Sequence, residues 1–262
     1  MTESAREEGL VTGVVLIVSA VTWVMLTVNP GGILSLSHCP VTQSGASPAS
    51  FRMLFEMNPP SSLAAGWALM LVAMMLPTLI APIQHIVSRS FRHRRLQPIT
   101  LFLAGYALLW MAAGAVLLAA ELMLGVLAPK SYLPAAGVGL AAFVWQCSPI
   151  KQRCLNRNHN HTELRAFGWG AKLDALRFGV SHGFWCIGSC WALMLFPMLL
   201  PQGHTAAMAA MTFLMISERL DPPAPLSWRL RGPGKLIRIL VAQTRIRWQS
   251  LRPNSTSPSA VV

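Results

Sequence analysis

Long apolar stretches separated by short polar segments dominate this sequence. A helix needs about 20 predominantly apolar residues to cross a bilayer, and most of these stretches reach or approach that length. In lipid, only helices and closed barrels satisfy their own backbone hydrogen bonds. The pattern therefore predicts an all-α, polytopic membrane helix bundle with about six transmembrane helices. The predicted spans are residues 10–28, 63–87, 99–128, 131–150, 179–200 and 205–220.

Positive charge is distributed unevenly between the two predicted sides of the bundle. All of the 21 Lys and Arg residues except Arg52 and Lys130 fall near the termini or in the loops that follow the second and fourth spans. Lys and Arg accumulate in cytoplasmic loops, so both termini are expected in the cytoplasm. The formal net charge of +12 then reflects membrane topology, and no nucleic-acid partner is predicted.

Composition supports insertion in a lipid bilayer. The chain is 53% hydrophobic and 11% charged, with a mean hydropathy of +0.50, whereas soluble domains carry about 25% charged residues. The chain contains no phosphate-binding loop, dinucleotide fingerprint or nucleophile elbow. A non-enzymatic membrane protein is therefore predicted.

The C-terminal part, residues 226–262, differs from the bundle predicted for residues 1–225. Arg238, Arg245 and Arg247 alternate there with apolar residues. This mixture predicts a basic amphipathic segment that lies on anionic lipid, followed by a disordered end. A partial seventh span is the alternative.

His182, Cys186 and Cys190 follow one another at steps of four within the fifth predicted span. Residues four apart share one face of a helix. The rise along the helix separates His182 from Cys186 by about 6 Å and from Cys190 by about 12 Å. Neighbouring pairs on this stripe can therefore share one ion, and all three cannot. A ladder that passes an ion from pair to pair is equally compatible with the spacing.

Further candidate ligands lie on other predicted spans. Met70 and Met74 are four apart on the second span, just before Pro77, which should loosen that helix. Cys147 ends the fourth span. Thiolate, thioether and imidazole ligands together favour Cu(I) first and Zn(II) second.

Two readings without metal remain open for the same residues. Cysteine is tolerated in tightly packed helix interfaces, and the Gly179–Gly183 pair predicts close packing of this helix. A structural or assembly subunit is therefore one alternative, and a thiol-based membrane oxidoreductase is another. The polar stretch 151–178, with His159 and His161, is predicted to be a solvated loop, and Glu218 is predicted to lie at the membrane interface.

Five short motifs stand out along the chain: Trp67–Met70, Ala73–Pro77, Ser148–Lys151 with Cys154, His182–Met194 and Ser217–Leu220. Together they resemble a bacterial family of predicted metal-binding integral membrane proteins, sometimes labelled copper chaperones. The resemblance covers about residues 62–220 and implies a bacterial inner-membrane protein that handles a metal. The family usually has tandem cysteines before the Trp, and Ser189 stands here in place of the first.

The leading functional hypothesis combines these observations. The chain is expected to bind a soft ion, most readily Cu(I), within its bundle, and to pass it to or from a metal donor or acceptor protein. His182, Cys186 and Cys190 would be the main ligands, supported by Cys147, Met70 and Met74.

Overall fold

A computed structural model of the chain describes residues 3–28, 59–90, 95–128, 131–160, 164–165 and 168–251. All regular secondary structure in these ranges is helical, which confirms the predicted all-α class. The elements are α1 (Glu3–Val28), α2 (Pro60–Met75), a 3₁₀ segment (Leu76–Leu79), α3 (Ile80–Arg89), α4 (Leu96–Leu127), α5 (Leu133–Cys147), α6 (Pro149–Asn158), α7 (Gly168–Met198), α8 (His204–Leu220) and α9 (Gly234–Leu251).

Four helical stretches in the described part of the chain are long and apolar enough to cross a membrane. They are Gly9–Val28, Pro60–Arg89, Leu96–Gly125 and Gly168–Met198. A fifth is reached only if α5 and α6, which meet at a bend of 66°, count as one span. The predicted number of about six is not reproduced because α8, the sixth predicted span, has only 17 residues.

The second apolar stretch is interrupted where Pro77 was expected to loosen it. The α-helix ends at Met75 and continues as a 3₁₀ turn before α3 begins. In a regular helix, the carbonyl of Ala73 would accept the N–H of residue 77, and proline has none. The carbonyl oxygen of Ala73 instead accepts hydrogen bonds from Ser19 Oγ at 2.8 Å and Trp23 Nε1 at 3.1 Å. The carbonyl group that Pro77 leaves without its helical partner therefore forms a hydrogen-bonded contact between α1 and α2.

The stretch after the fourth predicted span is partly helical, so the prediction of a polar loop over residues 151–178 is wrong at its start, and also at its end, where α7 already begins at Gly168. Ser148 caps α6, because its Oγ accepts the backbone N–H of Lys151 at 3.1 Å. Lys151, Gln152, Cys154 and Leu155 are buried on the inner face of this helix. The polar residues were read as loop because the internal partners that allow their burial are distant in sequence.

Helices α4 and α7 form the most extensive helix pair of the bundle. A Cβ added at Gly179 would collide with the backbone carbonyl of Phe102, and one added at Gly105 would lie 2.7 Å from the carbonyl oxygen of Leu176. Glycine lets the two backbones approach closely at both points. The predicted close packing of this helix is confirmed.

The segment between α8 and α9 docks against the bend between α5 and α6. The backbone N–H of Arg229 donates to the carbonyl oxygen of Cys147 at 3.2 Å, and Ala224 exchanges two hydrogen bonds with the side chain of Asn156. The first part of the predicted tail, which includes Arg229, therefore packs against the bundle. The helix α9 that follows exposes both apolar and basic side chains, and residues 252–262 lie outside the described part.

Candidate metal centre

The stripe on α7 faces the interior of the bundle. His182, Cys186 and Cys190 expose 5%, 0% and 1% of their surface. The stripe packs against α4 and the C-terminal end of α8. The helical spacing therefore correctly predicted three polar groups on one buried face.

Cys186 is the most extensively contacted of the three. Tyr106 Oη, on α4, lies 3.3 Å from its Sγ. Arg219, near the end of α8, donates from Nη2 to the same sulfur at 3.1 Å. The indole of Trp110 also lies beside this thiol. A sulfur that meets a guanidinium and a hydroxyl is well suited to carry negative charge.

Ser189 links Cys186, Cys190 and Arg219. Its Oγ donates to the carbonyl oxygen of Cys186 at 2.9 Å and lies 3.3 Å from Cys190 Sγ. It also accepts a hydrogen bond of 3.4 Å from Arg219 Nη2. The position that distinguishes this chain from the tandem-cysteine pattern thus lies at the centre of the cluster.

His182 lies among aromatic rings at the other end of the stripe. Its ring centroid is 6.0 Å from that of Phe102, 6.1 Å from Tyr106 and 6.0 Å from Phe178. His85, on α3, also packs edge-on against Phe178. Both histidines therefore contact the ring of Phe178.

The structure places the supporting candidates in two different surroundings. Met70 and Met74 are fully buried in the apolar core that also contains Cys186 and Cys190. Cys147 is half-buried at the end of α5, close to Arg231. No group of three or more His, Cys, Asp or Glu side chains within the described ranges could hold a metal ion together. The six predicted ligands therefore do not converge on one site of that kind.

Arg219 was not identified as a site residue from the sequence. It belongs to the Ser217–Leu220 motif, which marked this segment without indicating which helix its side chains reach. Sequence position alone cannot show that the end of α8 meets the middle of α7. Tyr106 was missed for the same reason, since it lies on an otherwise apolar helix.

A second polar cluster lies beside the cysteines and corrects the interfacial placement of Glu218. Glu218 is buried and forms an ion pair of 2.9 Å with Lys151, and their side chains expose 2% and 0%. Gln146 bridges the pair, accepting from Lys151 Nζ and donating to Glu218 Oε1. Arg231 donates to the carbonyl oxygen of Gln146 and, at 2.7 Å, to Gln152 Oε1. Burial is tolerated here because every charge has a partner.

Comparison with known proteins identifies the family. Residues 64–239 match the family described as PpoB2, copper chaperone. The chain belongs to this copper chaperone family. The match includes α2 to α8 and thus the cysteine stripe, Arg219 and the buried polar cluster. It confirms the resemblance read from the motifs, and together with the apolar helices it identifies a copper-related membrane protein.

No curated protein and no solved structure matches the chain. The chemistry of the site therefore rests on its own residues. Two buried thiols one helical turn apart lie next to one guanidinium and one phenol, in a core that also contains thioethers. This set can bind a soft ion at low coordination number.

Proposed function

We propose that this protein holds Cu(I) between Cys186 and Cys190 and passes it on, for delivery to another protein or for translocation. The observation that carries the proposal is the pair of fully buried thiols on α7, of which Cys186 accepts a hydrogen bond from Arg219. Thiols that only fill space need no cation beside them. The copper chaperone family supports the identity of the ion.

The donor set favours Cu(I) over Zn(II). Structural zinc sites take four ligands in a tetrahedron. In the described part of the chain, no three or more His, Cys, Asp or Glu side chains lie close enough together to hold one metal ion. Cu(I) is stable with two thiolates and accepts a nearby thioether as a further ligand. Met70 and Met74 lie in the same buried core and are the thioethers that we propose for this role.

The surroundings of His182 suggest transfer more than storage. An imidazole one turn beyond Cys186, enclosed by Phe102, Tyr106 and Phe178, can receive an ion from the thiols without completing a closed site. A closed site would retain its ion, whereas successive weak pairs let it move. We expect a metal donor or acceptor protein as partner, no enzymatic activity, and location in a bacterial inner membrane.

Metal analysis of detergent-purified protein tests this proposal. The protein is expressed with copper and zinc supplied, and the Cys186→Ser/Cys190→Ser variant is compared with Cys154→Ser. Cys154 is a matched control because it is also a buried cysteine that contacts α7, where its Sγ packs against Gly188. Near-stoichiometric copper in the wild type and control, lost in the double variant, is the expected result. Equal copper content in all three proteins would refute the assignment.

A packing role is the second candidate, and the close approach of the α4 and α7 backbones at Gly105 and Gly179 favours it. In that case the stripe stabilises the contact between α4 and α7, and no copper accompanies the wild type. The Cys186→Ser/Cys190→Ser variant would then lower stability without changing metal content. The same purification distinguishes the two functions.

A further inference from the structure

Arg219 is half-buried, with its guanidinium against the thiols of α7. No ion pair between Arg219 and a carboxylate occurs among the described residues. Its Nη1 is buried with no hydrogen-bond partner, while Nη2 donates to Cys186 Sγ and Ser189 Oγ. An arginine remains charged under all ordinary conditions. Among the described residues, the groups that could supply its counter-charge are therefore the ones that its guanidinium faces.

The two thiols are the groups in this contact that can supply that charge near neutral pH. Tyr106 and Ser189, the other polar side chains in contact with Cys186 or Cys190, carry hydroxyl groups that stay neutral. The nearby carboxylate, Glu218, is already paired with Lys151. The net charge on the cysteine pair therefore decides whether the charge of Arg219 is balanced.

Counting charges shows which ion balances the site. When Cu(I) binds both cysteines, the ion replaces their two thiol protons and leaves one net negative charge on the complex. The guanidinium at 3.1 Å then makes the site neutral. When Zn(II) binds the same two thiolates, the complex is neutral and the charge of Arg219 remains unbalanced. An unbalanced charge inside a low-dielectric bundle is costly.

We propose that Arg219 is a specificity-determining residue that makes the Cys186–Cys190 pair prefer univalent over divalent metal ions. This inference rests on the proposed function, because it requires that the pair binds an ion. It adds that selectivity comes from a charge on α8, outside the helix that carries the ligands.

Ag(I) and Zn(II) are suitable probes, since both keep one oxidation state. Their affinities are measured by chelator competition on the purified full-length protein, in the wild type and in Arg219→Gln, Arg219→Lys and Arg157→Gln. Arg157 is a matched control, because it lies 5.8 Å from the ring of Trp185 and so contacts α7 beside Cys186.

We expect the Ag(I)-to-Zn(II) affinity ratio to fall in Arg219→Gln by about tenfold or more, which corresponds to at least about 1.4 kcal/mol. Arg219→Lys keeps the charge and should keep the ratio, even if both affinities fall. Arg157→Gln should keep both affinities. If Arg219→Gln does not fold, Arg219→Met, which also removes the charge, is measured in its place, and the same fall in the ratio is expected.

Other outcomes overturn the inference in distinguishable ways. An equal loss of both ions in Arg219→Gln would mean that Arg219 only supports the fold. A changed ratio in Arg219→Lys would mean that hydrogen-bond geometry, and not charge, sets selectivity. If the wild type binds neither ion, the proposed function fails together with the inference.

Discussion

The buried ion pair between Lys151 and Glu218 provides the sharpest test of the fold, through the substitution Glu218→Gln. Glutamine keeps the shape of the side chain but removes its charge. Glu218 Oε2 lies 2.9 Å from Lys151 Nζ, and Oε1 accepts from Gln146. After the substitution, Gln146 Oε1 is the remaining side-chain acceptor that we observe for the Lys151 ammonium group.

The burial of both groups determines the size of the effect. Their side chains expose 0% and 2% of their surface, so solvent screens neither charge. Removing one partner of such a pair costs about 3–5 kcal/mol, because the other charge stays buried and unpaired. Adding Lys151→Met to Glu218→Gln should recover most of this loss, since the buried ammonium group that had lost its partner is then also removed.

Unfolding of the purified protein in mixed micelles, followed by circular dichroism, measures these free energies. The control is Asp174→Asn, which removes the ion pair with Arg165; the side chains of Asp174 and Arg165 are 16% and 72% exposed. Because solvent reaches the guanidinium of Arg165, this pair should contribute close to the value for surface pairs, about 0–1 kcal/mol. If Glu218→Gln costs no more than Asp174→Asn, or if the double variant is as unstable as the single one, water screens the Lys151–Glu218 pair. The predicted cost of breaking a buried ion pair would then be refuted.

Three further predictions concern the contact between α4 and α7, the thioethers of Met70 and Met74, and helix α9. Gly179→Ala should destabilise the bundle because its Cβ would meet the backbone carbonyl of Phe102, whereas Gly183→Ala, whose nearest contacts are 3.4–3.5 Å, should be tolerated; equal unfolding midpoints would contradict this. Met70→Leu and Met74→Leu should lower Cu(I) affinity while changing stability by less than about 1.5 kcal/mol, and unchanged affinity in chelator competition would exclude the thioethers as ligands. A peptide of helix α9 should bind vesicles containing phosphatidylserine and not neutral vesicles, which sedimentation would measure; equal binding to both would show that its basic residues contribute nothing.

The sequence was sufficient for features that depend on local periodicity. Apolar length identified the long helices, and the spacing of Cys186 and Cys190 correctly placed both thiols on one buried face. Pro77 correctly marked the break after α2, because the loss of a backbone N–H is a local effect. These features need no knowledge of which helices are neighbours.

Features that depend on the arrangement of helices could not be read from the sequence. Helix α6 is polar because its inner residues pair with partners far along the chain, as Lys151 does with Glu218. Without that partner, the same residues indicate a loop. The apolar stretch of α8 predicted a sixth span. The sequence did not show that the last turn of this 17-residue helix contacts α6 and α7.

That last turn explains why adjacent residues on α8 are both charged in an otherwise apolar bundle. Glu218 reaches α6 through Lys151, and Arg219 reaches α7 through Cys186. Because the two side chains leave neighbouring backbone positions, we expect loss of the first contact to shift the second. The Lys151–Glu218 pair would then act as an anchor that holds the charge of Arg219 against the thiols. Glu218→Gln should therefore also lower Ag(I) affinity in chelator competition, and an unchanged affinity would show that the two contacts are independent.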